Sequence, residues 1–177
     1  NAFDYSLGNP SLPAPPEVNR AIHDILNEED SLAVHGYTSN IGDYEARAAV
    51  ARDLNQRFGT DARPEEIFLT CGAAPALIAV LRALAVEDGE VLAIAPYFTE
   101  YKPFAERSGL RFRLVPPDIP DFQIRLDAVE AMLTPATQAI VVNSPNNPSG
   151  VVYTRQTLEA LAALLTRKSE EYGHPIY

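Results

Sequence analysis

The sequence predicts an α/β fold, a mostly parallel sheet with helices on both faces. Short apolar runs alternate with segments of helical periodicity from about residue 67 onwards, and such alternation implies crossover connections between parallel strands. The predicted strands are nearly continuous in apolar residues, as in VLAIA at 91–95 and QAIVV at 138–142. This composition is typical of a sheet that is buried on both faces.

The predicted elements follow in order along the chain. PPEVNRAIHDILNEED predicts a helix because its apolar residues recur on one face, and a second helix at about 44–58 is closed by Gly59. The later elements are strands at 67–70, 91–95, 111–115 and 138–142, and helices at 74–85, 99–108, 126–133 and from an N-cap at Thr154 to Tyr172. A further strand is expected to begin at HPIY.

Composition and charge exclude several classes of function. The chain has 177 residues, of which 46% are hydrophobic and 21% charged, so it is globular rather than disordered. The formal net charge is -10 and no dense basic stretch is present, which argues against nucleic acid and membrane partners. The single cysteine, Cys71, fits a reducing, cytoplasmic compartment, and no Cys/His spacing indicates a metal.

Unusual residues follow three predicted strands, whose carboxyl ends should meet at one ligand-binding edge. LTCGAAPAL follows the first strand, APYFTEY the second and NSPNNPSG the last. A helix start with small residues can hold a phosphate, an aromatic ring can stack on a planar ligand, and Asn147, held extended before Pro148, can donate its amide. Taken alone, a tight turn and core packing explain the first two segments better. A plain turn explains NSPNNPSG less well, because a buried turn must satisfy its polar groups.

Together and in this order, these segments resemble fold type I pyridoxal-phosphate enzymes, and more narrowly the class I and II aminotransferases. The resemblance runs from YSLGNPSLPAPPEV through HGYTSNIGDYEAR to VVNSPNNPSGVVYT, and NSPNNPSG is its most specific part. It implies the large domain of a fold type I transferase and pyridoxal 5'-phosphate as cofactor. It also implies transfer of an amino group between an amino acid and a 2-oxo acid.

The resemblance implies roles for particular residues at the cofactor. Ala73 and Ala74 would offer backbone N–H groups to the phosphate, although many relatives carry a hydroxyl or amide side chain there. Phe98 would stack on the pyridine ring. Asn147 would hydrogen-bond the phenolic oxygen of the ring and would also lie at the substrate.

Two further implied roles concern the substrate and a partner subunit. Gly8 would lie near the substrate carboxylate. Tyr37, in the polar segment HGYTSNIG between two helices, would reach the phosphate of the neighbouring subunit's cofactor. The resemblance therefore implies a homodimer with shared active sites.

The lysine that such enzymes join to the cofactor has no match in this sequence. The two lysines, Lys102 and Lys168, follow the aromatic segment and lie late in a long helix, and neither context fits. We therefore expect the Schiff-base lysine downstream, and the chain to be the N-terminal portion of a longer enzyme that has no activity in isolation. Residues 1–30 would be the N-terminal segment and helix of the small domain or interface, and residues 31–177 the first part of the cofactor-binding large domain.

Two alternative functions remain open from the residues. A lyase or synthase, such as a carbon–sulfur lyase, can use the same fold, because a fold does not determine the reaction. A non-catalytic regulator built on an aminotransferase fold is the other alternative. Such regulators carry a DNA-binding extension, and this sequence contains no basic helix-turn-helix.

Overall fold

The structure is a computed structural model that describes residues 12–177. The chain divides into two compact units, Asn1–Leu69 and Thr70–Tyr177. The predicted domain boundary near residue 30 stays a prediction. The elements are α1 (Pro16–Glu28), α2 (Ser31–His35), α3 (Tyr44–Phe58), a 3-10 turn (Pro64–Glu66), α4 (Ala73–Ala83), β1 (Glu90–Ile94), α5 (Tyr101–Ser108), β2 (Arg111–Val115), α6 (Leu126–Met132), β3 (Thr137–Val141) and α7 (Arg155–Tyr172).

The first unit is helical in its described residues, and α3 shows why. The Asp43 side chain caps the start of α3 by accepting a hydrogen bond from Ala46 N at 3.0 Å. Gly59 ends the helix with φ of 65°, in the left-handed region that glycine adopts without strain. Buried Arg47 donates to Gly42 O at 3.1 Å and to Pro64 O at 2.5 Å, so α3 is tied to the loops on either side of it.

The predicted strand at 67–70 does not form, and this prediction was wrong. A strand needs a neighbour to pair with its N–H and C=O groups, and no strand pairs with these residues in the described part of the chain. Leu69 N instead donates to Ile41 O at 3.0 Å. The short helix α2 was not predicted, because SLAVH is too brief to show helical periodicity.

The second unit contains a parallel sheet with strand order β2-β1-β3. Glu90 pairs with Arg111 and Ile94 with Val115 in the first ladder, and Val91 pairs with Ala139 in the second. On the other side of β3, Ile140 N donates to Tyr177 O at 2.7 Å and Tyr177 N to Gln138 O at 2.9 Å. Within HPIY only Tyr177 bonds to β3, and residues 174–177 form no strand, so the strand expected to begin there stays a prediction.

Helices cover both faces of this sheet, which confirms the predicted fold class. Alternate residues of β1 point to opposite faces. Leu92 and Ile94 join the cluster of α6 and α7, whose members include Val129, Leu161 and Leu164. Val91 joins the opposite cluster of α4 and α5, whose members include Leu81 and Ala105. All five residues of β1 are buried, as expected for the central strand of a sheet that is covered on both faces.

Candidate functional site

A cleft of about 390 Å³ opens in the second unit beside the start of α4 and the carboxyl end of β3. Its volume lies within the range of small-molecule sites, roughly 300–1,000 Å³. Its walls are mostly apolar, with one phenol and one amide. The lining residues are Ala73, Ala76, Leu77, Val80, Tyr101, Val141, Val142 and Asn143. Each of the three segments singled out in the sequence thus contributes at least one residue to the cleft.

The turn into α4 is shaped by Gly72. Its φ of 93° and ψ of -179° form a combination that is essentially restricted to glycine. A Cβ at this position would meet no atom of residues 12–177 within 4 Å, so the backbone angles rather than crowding require glycine. Gly72 N donates to Thr70 O at 2.8 Å, and Thr70 Oγ1 donates to Gly72 O at 2.6 Å. The turn is thereby fixed before the helix begins.

The first N–H groups of α4 are available to a ligand. Ala73 N and Ala74 N have no acceptor within residues 12–177, as expected for the first turn of a helix. Both residues are exposed, and Pro75 has no N–H to offer. The helix dipole adds positive potential at this point. The start of α4 can therefore bind a phosphate through its backbone.

Two aromatic residues lie at the entrance to α5. The ring centroids of Phe98 and Tyr101 are 5.6 Å apart with an interplanar angle of 78°, an edge-to-face contact. Tyr101 lines the cleft, and burial raises the pKa of its hydroxyl, which stays protonated at neutral pH. Phe98 is 38% exposed, whereas the neighbouring Tyr97 packs against Phe112 at 5.2 Å. Of the three aromatic residues in APYFTEY, Tyr97 thus packs against the sheet, and Phe98 and Tyr101 lie at the site.

The three asparagines of NSPNNPSG have different environments. Asn146 is buried, and its Oδ1 accepts hydrogen bonds from Ser149 Oγ at 2.8 Å and Ser149 N at 3.2 Å. Asn143 lines the cleft, and its Oδ1 accepts from Asn147 N at 2.7 Å. Asn147 is exposed, and its side-chain amide has no hydrogen bond within the described chain. The turn therefore presents one amide that is still able to donate.

Comparison with known proteins identifies the family. The model of the family described as "aminotransferase class I and II" matches residues 2–170 of this chain. The chain belongs to the class I and II aminotransferases. Membership of this family implies pyridoxal 5'-phosphate as the cofactor.

Individual aminotransferases show how much of the fold is matched. The aspartate aminotransferase of Thermotoga maritima is 32% identical over 96% of this chain and 44% of its own length. A probable N-succinyldiaminopimelate aminotransferase of Mycobacterium tuberculosis is 31% identical over 99% of this chain and 46% of its own length. A crystal structure of an aminotransferase from Eubacterium rectale superposes with a TM-score of 0.97 and 46% identity, covering 99% of this chain and 44% of that one. The chain thus spans somewhat less than half the length of each.

The residues of the cleft fit this cofactor. Free N–H groups at the α4 start suit the phosphate, and the open space beside Gly72 leaves the approach to them unobstructed. The apolar wall of Leu77, Val80 and Val141 suits a planar ring. Tyr101 adds a neutral donor to the cleft, and the side-chain amide of Asn147, next to the cleft residue Asn143, makes no hydrogen bond within residues 12–177.

The predicted site residues occupy three kinds of position. Ala73 lines the cleft, and Ala74 is the next residue of the same helical turn. Phe98 and Asn147 do not line the cleft, but each contacts a residue that does. Tyr37 belongs to the first unit, where it is fully exposed. Gly8 lies outside the described residues. The roles of these residues stay predictions.

Sequence reasoning missed the two polar residues that line the cleft, Tyr101 and Asn143. Both stand inside segments that had been singled out. The sequence predicts roles for Phe98 and Asn147 in these segments and none for Tyr101 or Asn143. The available signal was their distance from the strand ends, since side chains directly after parallel strands meet at one edge.

The two lysines are engaged away from the cleft. Lys102 pairs with Glu106 one turn along α5, and Lys168 pairs with Glu171 at 2.7 Å on α7. Neither residue is among those that line the cleft. No helix among the described residues has the length and apolarity needed to cross a membrane.

Proposed function

We propose that the chain forms the cofactor-binding part of a pyridoxal-phosphate-dependent aminotransferase, which moves an amino group between an amino acid and a 2-oxo acid. The observation that carries this proposal is the meeting of three motif segments at one cleft, beside free helix N–H groups. The family match supports it. The relatives named above are all aminotransferases, so the lyase and regulator alternatives gain no support.

The residues of the chain divide the binding task between them. Ala73 N and Ala74 N hold the phosphate, and the dipole of α4 favours its negative charge. Phe98 covers one face of the pyridine ring, because an exposed aromatic side chain at a ligand site can stack in an offset arrangement. The apolar wall excludes water from the ring and strengthens the polar contacts that remain.

Asn147 acts on the electronics of the ring. Its unengaged amide donates a hydrogen bond to the phenolic oxygen and thereby stabilises negative charge on that atom. When bound, the cofactor supplies the electron sink for the reaction. Asn147 therefore sets the pH at which the bound cofactor gains or loses its proton.

The test is the Asn147→Ala variant of the full-length enzyme. Loss of one hydrogen bond to a charged oxygen costs roughly 1.5–3 kcal/mol, so the pKa read from the absorbance of the bound cofactor should rise by about one to two pH units. A spectrophotometric pH titration measures this value, and transamination with a panel of amino acids measures the reaction itself. An unchanged or lowered pKa contradicts the role given to Asn147. Absence of amino-group transfer with every donor contradicts the proposed function.

We also propose that the enzyme is a homodimer of the cytoplasm with shared active sites. The exposed phenol of Tyr37 supports the shared site, because a fully exposed tyrosine in a polar segment can reach another subunit. The lone Cys71 is exposed and unpaired, which suits a reducing compartment. The amino acid donor and the 2-oxo acid are the small-molecule partners.

A further inference from the structure

The NSPNNPSG turn contains one hydrogen bond whose position suggests a second functional asparagine. Asn143 Oδ1 accepts from Asn147 N at 2.7 Å, across four residues. This is the only hydrogen bond to the backbone of Asn147 within residues 12–177. Asn146, the residue before it, is buried and held by its own hydrogen bonds, whereas Pro148, the residue after it, has no N–H to donate.

The other polar groups of the turn are engaged with one another. Asn146 N donates to Val151 O at 2.8 Å, and Gly150 N donates to Asn146 O at 2.7 Å. Ser144 Oγ accepts from Tyr153 N at 3.1 Å. These bonds fix the ends and the base of the turn but do not reach Asn147. Asn143 therefore supplies the one hydrogen bond that holds Asn147 directly within residues 12–177.

We propose that Asn143 is a positioning residue for Asn147, an inference that rests on the proposed function of the cleft. Asn143 stands at the carboxyl edge of β3 and lines the cleft, so it is anchored by the sheet. The side-chain Oδ1 of Asn143 holds the backbone N–H of Asn147. The side-chain amide of Asn147 is thereby aimed at the phenolic oxygen. Asn143 thus acts on the phenolic oxygen through Asn147.

Coupling between the two asparagines distinguishes this role from a direct or a merely structural one. In the full-length holoenzyme, Asn147→Ala should raise the spectroscopic pKa of the bound cofactor, and Asn143→Ala should raise it less. The double variant should match Asn147→Ala alone, because residues that act in series are not additive. Cofactor affinity of Asn143→Ala should fall by roughly fivefold, the change expected for one neutral hydrogen bond.

Two further substitutions at position 143 distinguish the effect of losing the acceptor oxygen from the effects of side-chain shape and charge. Asn143→Leu has a similar shape without an acceptor, and it should behave as Asn143→Ala does, which provides a second variant should the alanine variant not fold. Asn143→Asp keeps an acceptor oxygen. In the Asn143→Asp background, Asn147→Ala should shift the spectroscopic pKa by the same amount as in the wild type, since the added charge is present in both members of that comparison.

Asn55→Ala is the matched control. Asn55 Oδ1 also accepts from a backbone N–H at 2.7 Å, that of Ala62, in the first unit. Its loss should lower stability and leave the spectroscopic pKa unchanged. Additive shifts in the Asn143→Ala, Asn147→Ala double variant overturn the positioning role, and so does an Asn143→Ala enzyme whose pKa equals that of the wild type. Failure of the wild-type enzyme to show any absorbance of bound cofactor overturns the proposed function instead.

Discussion

Arg113 Nη1 donates a hydrogen bond to Glu90 Oε1 at 2.8 Å, linking β2 to the first residue of β1. The same carboxylate oxygen accepts from Thr134 Oγ1 at 2.6 Å and from Thr137 Oγ1 at 2.9 Å. Glu90 is 3% exposed and Thr137 is fully buried. A buried carboxylate with three donors ties the amino end of β1 to β2 and to the start of β3, whereas the cleft lies at the carboxyl end of β3.

The first prediction concerns the stability of this cluster. Glu90→Gln removes the charge while keeping the shape, and should lower the local free energy of unfolding by about 1–3 kcal/mol, because hydrogen bonds to charged groups are the stronger ones. Native-state hydrogen exchange of the β1 amides in the full-length enzyme measures this quantity. Asp127→Asn is the control, since it removes an exposed pair with Arg125 and should leave the same amides unchanged. Equal effects of the two variants contradict the prediction.

The second prediction is that the difference in local free energy of unfolding between wild type and Glu90→Gln depends on pH. Burial pushes the pKa of Glu90 up, but hydrogen bonds from Thr134, Thr137 and Arg113 outweigh burial and hold the pKa below its ordinary value of 4.5. A lowered pKa in the folded state gives stability that is complete above the ordinary value and is lost as the pH falls through the folded value. The stability gap between wild type and Glu90→Gln should therefore be constant near neutral pH and shrink below pH 4.5. A gap that widens on acidification contradicts the lowered pKa.

Local patterns predicted most elements of the fold, and long-range contacts account for what they missed. The apolar runs of β1 to β3 and the cap residues Gly59 and Thr154 are local signals, so the bounds of these elements differ from prediction by only a few residues. The Glu90 cluster joins residues 47 positions apart, and no local pattern indicates it. The strand predicted at 67–70 does not form, because a strand also needs a pairing partner and none pairs with these residues in the described part of the chain.

The candidate site was predictable to the same extent. The three segments are recognisable because glycine, aromatic and amide residues follow apolar runs. The bond from Asn143 to Asn147 was not predicted, because the identity of the residue that holds a turn depends on side-chain geometry. Sequence alone predicted a ligand-binding edge and a donor role for Asn147, but it gave no task to Asn143 or Asn146.

The third prediction tests the turn at Gly72. Gly72→Ala would force a Cβ into φ of 93° and ψ of -179°, at a cost of about 1–3 kcal/mol, so we expect the turn to shift and cofactor affinity to fall. Gly59→Ala is the control, because Gly59 also has positive φ and open space around its Cβ position. The control should lose stability without losing cofactor affinity, measured by fluorescence titration. Unchanged affinity in Gly72→Ala would show that the turn does not hold the phosphate.

The fourth prediction concerns the two lysines. Lys102 and Lys168 are held in ion pairs with Glu106 and Glu171 on their own helices, and the side chain of Lys168 is only 13% exposed. Lys102→Arg and Lys168→Arg preserve these charges, so each full-length variant should retain the absorbance of bound cofactor and its activity. Loss of both properties in either well-folded variant would identify that lysine as the one joined to the cofactor.

The last prediction concerns a shared active site. If Tyr37 reaches the cofactor phosphate of the neighbouring subunit, Tyr37→Ala damages the partner's site and Asn147→Ala damages its own. A mixed dimer of the two variants then contains one site with both defects and one with neither. Because random exchange makes half of the dimers mixed, about a quarter of all sites should be restored.

The mixed-dimer experiment needs a control pair in which each variant damages the active site of its own chain. Phe98→Ala and Asn147→Ala are such a pair, since Phe98 and Asn147 belong to one unit and contact lining residues of one cleft. A mixed dimer of these two variants has one defect in each site, so mixing restores nothing. Cofactor should also strengthen the dimer, because a ligand that binds only the assembled state shifts the equilibrium towards it. Equal recovery in the two mixtures, or a fully active cofactor-saturated monomer in sedimentation, would exclude Tyr37 from the partner's site.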